Sequence, residues 1–235
     1  LPSQSRGFDP HHPLHLFLFR NKVNVGMPEY EVRFKSDGLI LEGFLSLPNS
    51  AEPRAGVLLC HPHSLYGGNM DNNVVRAAGK ALAVRGLATL RFNFRGVGRS
   101  QGVFDEGIGE EDDAHAAASF LSGYEGVDAE RIGILGYSFG GMVALSAGVN
   151  NDIIRAIVGI SPVIPPGILQ KCFKPLLLTY GTRDDVVLPA KVEAEIENMP
   201  VSGTVEAIEG ADHFLWGYEQ RVAEKVADFF ARQLC

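Results

Sequence analysis

Ser138 stands between two glycines in Gly136-Tyr137-Ser138-Phe139-Gly140, after an apolar run and before a small-residue helical pattern. This is the G-x-S-x-G spacing of a serine carried on a sharp strand-to-helix turn. The glycines matter because the turn brings two backbones too close for side chains. The turn lifts the hydroxyl above a sheet edge and aims the first amides of the helix at a reacting oxygen. The plainer alternative is a serine N-cap with glycines for helix packing. A serine hydroxyl is a weak nucleophile near neutral pH, so it needs a base, and the base needs an orienting carboxylate. Downstream of Ser138, two segments offer an acid and a histidine just past the ends of apolar runs. His213 is the only histidine after Ser138 and is the base. Asp184 is the acid, three residues beyond Gly181, which ends a buried apolar run. Asp185 is its competing neighbour, and Asp212 is read as a loop or helix-start residue.

Acyl chemistry at Ser138 also needs two donors for an oxyanion. The Phe139 amide is one. The second is expected in the loop His61-Pro-His-Ser-Leu-Tyr-Gly-Gly68. Pro62 has no N–H. His63 is the first choice, with Ser64 behind it. His61 is read as a structural histidine hydrogen-bonding the loop, since no His/Cys/Asp cluster nearby suggests a metal. No metal and no cofactor are expected. Arg95-Gly-Val-Gly-Arg-Ser100 lacks the spacing of a dinucleotide loop, so its glycines shape a turn and Arg95 anchors it. The acidic run 110–113 reads as a solvated first helical turn, favoured there by the helix dipole.

The elements that must hold these residues follow from periodicity. Alternation over 30–34, a Ser36-Asp37-Gly38 turn and a second extended run to Leu47 predict a β-hairpin. Strand-length apolar runs then alternate with helical patterns. Strands are expected at 56–60, 88–94, 132–136, 156–160, 175–180 and 204–208. Helices are expected at 72–84, capped by Asp71, and at 110–121, 139–149, 190–199 and 218–234. Together these give an α/β fold with a mostly parallel sheet of about eight strands, an antiparallel N-terminal hairpin and helices on both faces.

The chain has 235 residues, 46% apolar and 21% charged, with net charge −7. That balance supplies a full core, and the lack of a basic block argues against nucleic acid and anionic membranes as partners. Cys60, Cys172 and Cys235 form no pairing motif, and an odd count favours a reducing, cytoplasmic setting. Residues 1–26 read as a leader, tag or disordered extension, with Met27 a candidate start and His11, His12 and His15 a solvated tail. Residues 27–235 read as one domain.

The motifs HPHSLYGG, RFNFRGVGRSQG, GYSFGG, GTRDDVV and GADHF, in this order, resemble the α/β-hydrolase family over roughly residues 28–235. The first two are particularly similar to compact, cap-poor bacterial hydrolases related to dienelactone hydrolase-like and esterase-like enzymes. Dienelactone hydrolases proper use a cysteine at the turn, where this chain has Ser138. Many family members carry His-Gly where this chain has His61-Pro62. The segment from Ser161 to Lys174 is too short for a lid domain, so the site is expected to be open. Leu65, Tyr66, Ile164, Phe214 and Trp216 are candidates to line an acyl pocket, with Pro162, Val163, Pro165 and Ile168. The resemblance implies a serine hydrolase of small or medium acyl esters acting on a small-molecule substrate. Thioesters and amides use the same machinery. A non-catalytic binder and an acyltransferase are the rivals from other classes.

Overall fold

A computed structural model of the chain describes residues 28–197, 199–200 and 203–235, together with the backbone of 19–22. Among the described residues, one sheet of nine strands runs in the order β1-β2-β3-β5-β4-β6-β7-β8-β9. β1 (Phe19–Lys22), β2 (Glu29–Ser36) and β3 (Leu39–Ser46) are antiparallel, and β3 meets β5 antiparallel as well. β4 (Arg54–Cys60), β5 (Ala88–Phe92), β6 (Val127–Tyr137), β7 (Ile154–Ile160), β8 (Leu176–Gly181) and β9 (Thr204–Ile208) pair in parallel. Asp37 and Gly38 turn the β2–β3 hairpin with φ of 43° and 80°, a left-handed pair in which Gly meets no steric penalty. The ninth strand, β1, lies inside the segment read from sequence as an extension. The rest of residues 1–26 falls outside the described residues.

Helices cover both faces. α1 (Asn73–Val84) and α5 (Glu219–Leu234) share one apolar cluster. α2 (Ile108–Ser122), α3 (Phe139–Asn150) and α4 (Pro189–Ile196) share the other. Parallel strands sandwiched this way must be apolar on both sides, and β4, β7 and β8 are buried almost throughout. Between β7 and β8 the chain forms only a 3-10 turn, Leu169–Lys171, and no lid. No helix among the described residues is long and apolar enough to cross a membrane.

Two local expectations need correction. Asn72, not Asp71, caps α1, and its side chain accepts from the amides of Val74 and Val75. Asp71 instead pairs with Arg91 at 2.8 Å. The acidic run at α2 is not uniformly solvated either, because Glu110 and Asp113 are fully buried. Glu110 accepts from the amides of Asp105 and Gly107, at 3.0 and 2.8 Å. Asp113 takes the Arg95 guanidinium at 2.9 and 3.1 Å and the Ser36 hydroxyl at 2.7 Å. Charge at a helix start satisfies the dipole rule whether it faces water or a buried arginine, so residue type alone does not separate the two.

The Arg95–Asp113 pair fixes the loop between β5 and α2 from below. Removing one partner leaves an uncompensated buried charge. Asp113→Ala is expected to cost about 3–5 kcal/mol, read as a lower midpoint in urea or thermal unfolding.

Candidate active site

β6 ends at Tyr137, α3 begins at Phe139, and Ser138 is the whole connection. Its φ of 55° and ψ of −116° lie where a non-glycine residue costs about 1–3 kcal/mol. Three backbone bonds hold it there. The Ser138 amide donates to Ile160 at 2.9 Å, and its carbonyl accepts from Met142 at 3.2 Å and Val163 at 3.3 Å. The flanking glycines are required by space. A Cβ on Gly136 would lie 1.8 Å from the Gly140 carbonyl oxygen, and one on Gly140 would lie 2.3 Å from the His61 carbonyl oxygen.

The Ser138 side chain makes no capping bond to α3. Its Oγ lies 2.9 Å from His213 Nε2. On the other side of the ring, His213 Nδ1 lies 2.9 Å from Asp184 Oδ2. Asp184 Oδ1 accepts from the amides of Val186 at 3.0 Å and Val187 at 2.7 Å. This bonding pattern puts the imidazole proton on Nδ1 and leaves Nε2 free to accept from the hydroxyl. Burial pushes the Asp184 carboxyl up, but the bonds from His213, Val187 and Val186 outweigh it and hold it below the ordinary carboxylate range. Asp184 and His213 are buried, whereas Asp185 is exposed.

The loops bearing the acid and the histidine are tied to each other. Arg183 donates its amide to the Ala211 carbonyl at 2.9 Å, and Gly210 donates to Thr182 Oγ1 at 2.9 Å. Asp212 turns its carboxylate back onto the amides of Phe214 and Leu215, both at 3.0 Å, which is the loop role expected of it. The sequence gives Tyr137 no role of its own. Its buried hydroxyl donates to the His213 carbonyl at 2.8 Å, joining the serine turn to the histidine loop. A tyrosine at a strand end reads as core from sequence alone, and only the loop's return path reveals its partner.

The Phe139 and His63 amides have no protein acceptor among the described residues, and neither does that of Ser64. The His63 ring is wedged among Tyr66, Phe104 and Phe139, each at 4.8 Å between centroids, and its Nδ1 accepts from Leu65. His61 is buried beneath this loop. Its Nδ1 donates to the Pro62 carbonyl at 2.7 Å, and its Nε2 accepts from Phe94 at 3.1 Å. Burial drives its pKa down to about 4, so its ring is a neutral strut. Burial also pushes the Cys60 thiol far up, which makes it inert. No group of three or more His, Cys, Asp or Glu side chains suited to a metal occurs among the described residues.

Of the candidate pocket residues, Leu65, Tyr66, Phe214 and Trp216 are exposed and Ile164 is half-buried against the core. Pro162 and Ile168 are buried instead, and Pro162 packs so closely on Gly141 and Gly159 that a Cβ on either would clash with it.

The sequence matches the X-Pro dipeptidyl-peptidase (S15 family) over residues 37–165 and the dienelactone hydrolase family over residues 104–233. Each match takes in more than half of the chain. The chain belongs to the α/β-hydrolase superfamily. This hydrolase is 34% identical to an uncharacterized protein of Rickettsia prowazekii, over 77% of this chain and 80% of that one. An α/β serine hydrolase homologue from Coxiella burnetii superposes with a TM-score of 0.77 at 31% identity, over 84% of this chain and 95% of that one. A serine hydrolase without a lid from Xanthomonas campestris gives 0.76 at 28% identity, over 88% and 95%.

Proposed function

We propose that this hydrolase cleaves carboxylic esters of small or medium acyl chain through an acyl-enzyme on Ser138. The observation that carries the reading is the Ser138 hydroxyl engaged with His213 at 2.9 Å instead of capping its helix. Ser138 Oγ attacks the ester carbonyl carbon while its proton passes to His213 Nε2. Asp184 holds the imidazole in the accepting tautomer and stabilises its charged form. The amides of Phe139 and His63 receive the oxyanion. Collapse of the tetrahedral intermediate breaks the bond to the alcohol, which leaves with the proton from His213. Water then attacks the acyl-enzyme and gives a proton to His213, and collapse of the second tetrahedral intermediate breaks the bond to Ser138 Oγ, which takes that proton back as the acid leaves. This cycle needs no redox step.

The match to a dipeptidyl-peptidase family favours a second reading, amide cleavage by the same groups. p-Nitrophenyl esters assayed beside matched thioesters and anilides separate the readings. Ester turnover far above anilide turnover supports the first, and the reverse order rejects it.

Tyr137 is a positioning residue in this scheme, acting through the His213 main chain. Tyr137→Phe keeps the ring and removes one hydrogen bond, worth about 1 kcal/mol. The expected result is a kcat about fivefold lower at an unchanged KM. A lower melting temperature with unaltered kcat would reduce the residue to a packing role.

A further inference from the structure

Six parallel strands place the ends of β4 to β9, and the loops that follow them, along one edge of the sheet with Ser138 among them. The large apolar side chains exposed among the described residues gather on this edge. Of twelve, only Val84, at the end of α1, and Phe173, in the loop before β8, lie elsewhere, on the opposite edge. Leu65 and Tyr66 come from the loop after β4, Val186 and Leu188 follow the acid, and Phe214 and Trp216 follow the histidine. Exposed apolar surface concentrated in this way marks a binding face.

The charge on the same edge has one prevailing sign. Asp185 adjoins Asp184, and Asp212 adjoins His213, both with exposed side chains. Glu209 stands exposed on the histidine loop, and Asp105 and Glu106 are exposed on the loop after β5. Arg183 is the only Lys or Arg on the two loops that bear the acid and the histidine, and the exposed Arg99 on the loop after β5 is held by Glu42 at 2.6 Å. An apolar mouth studded with carboxylates attracts uncharged or cationic partners and repels anions.

We propose that the site takes acyl compounds whose two halves are both apolar and uncharged, and turns away acyl groups carried on a polyanion such as coenzyme A. The proposal rests on the serine-hydrolase reading and specifies its substrate class. It follows from the apolar rim, which offers contact to both sides of the scissile bond, and from the acidic residues beside two of the three reacting side chains.

Octanoyl-N-acetylcysteamine and octanoyl-coenzyme A test it, because they share the acyl chain and the thioester bond and differ in carrier charge. The expected kcat/KM is about 10- to 100-fold higher for the neutral carrier at low salt. The gap should shrink severalfold when ionic strength rises from about 0.01 M to about 0.5 M, as screening shortens the reach of the carboxylates. Asp185→Lys should narrow it at fixed salt. Equal or faster cleavage of the coenzyme A thioester, or a gap indifferent to salt, overturns the substrate class and leaves the hydrolase reading standing. So does failure to cleave either thioester while Ser138 still reacts with a fluorophosphonate. Loss of that labelling as well overturns the hydrolase reading itself.

Discussion

Ser138→Ala is expected to lower kcat on p-nitrophenyl esters by about 10⁴-fold or more. The alanine removes one oxygen atom and leaves the turn's backbone bonds to Ile160, Met142 and Val163 in place. Stability should not suffer. The serine holds a φ of 55°, which alanine tolerates equally poorly, and the lost hydroxyl has only His213 as a side-chain partner. Unchanged circular dichroism and melting, measured beside the kinetics, separate loss of chemistry from loss of fold. Residual turnover well above background would mean that another group attacks the carbonyl, and neither Cys60 nor Cys172 suits that role, since both are buried and burial raises their thiols.

Asp184→Asn is the second large effect, about 10³- to 10⁴-fold in kcat. The amide is nearly isosteric and can still accept from Val186 and Val187 through its oxygen. The atom facing His213 Nδ1 then becomes an NH₂ group, which cannot accept the imidazole proton. The ring is driven to its other tautomer, with the proton on Nε2 pointing at Ser138 Oγ, and the base is lost. Asp185→Asn changes an exposed carboxylate that makes no contact with His213 and should cost only a few-fold. A steady-state comparison of the two variants on one ester decides between them. A larger loss for Asp185→Asn would move the acid by one position.

Much of this arrangement is legible in the sequence because it is enforced by short-range constraints. Gly136 and Gly140 leave no room for a Cβ, so the turn announces itself by residue type. His213 is found by elimination, and Asp184 by its distance from a strand end. The strands from β4 onward are read correctly, apart from shifts at their ends, because burial on both faces demands unbroken apolar runs. What stays hidden depends on partners distant along the chain. Asp113 looks like surface charge until Arg95, 18 residues earlier, is seen to reach it. Tyr137 looks like core until His213, 76 residues later, returns its carbonyl to the hydroxyl. Asn72 and Asp71 are equally suited by type to cap α1, and only Arg91 shows which is otherwise engaged. Pro162 and Ile168 are apolar loop residues, a type that lines pockets and packs cores alike, and burial is what sets them apart from the exposed candidates.

The central claim is that Ser138 is a nucleophile made reactive by His213. Incubation of the purified protein with a fluorophosphonate, followed by intact-mass measurement and peptide mapping, tests it most directly. The expected result is one adduct per chain, located on Ser138 and absent after Ser138→Ala. Its formation should slow strongly in His213→Ala. An unmodified protein, or an adduct on a different residue with Ser138 untouched, would contradict the account.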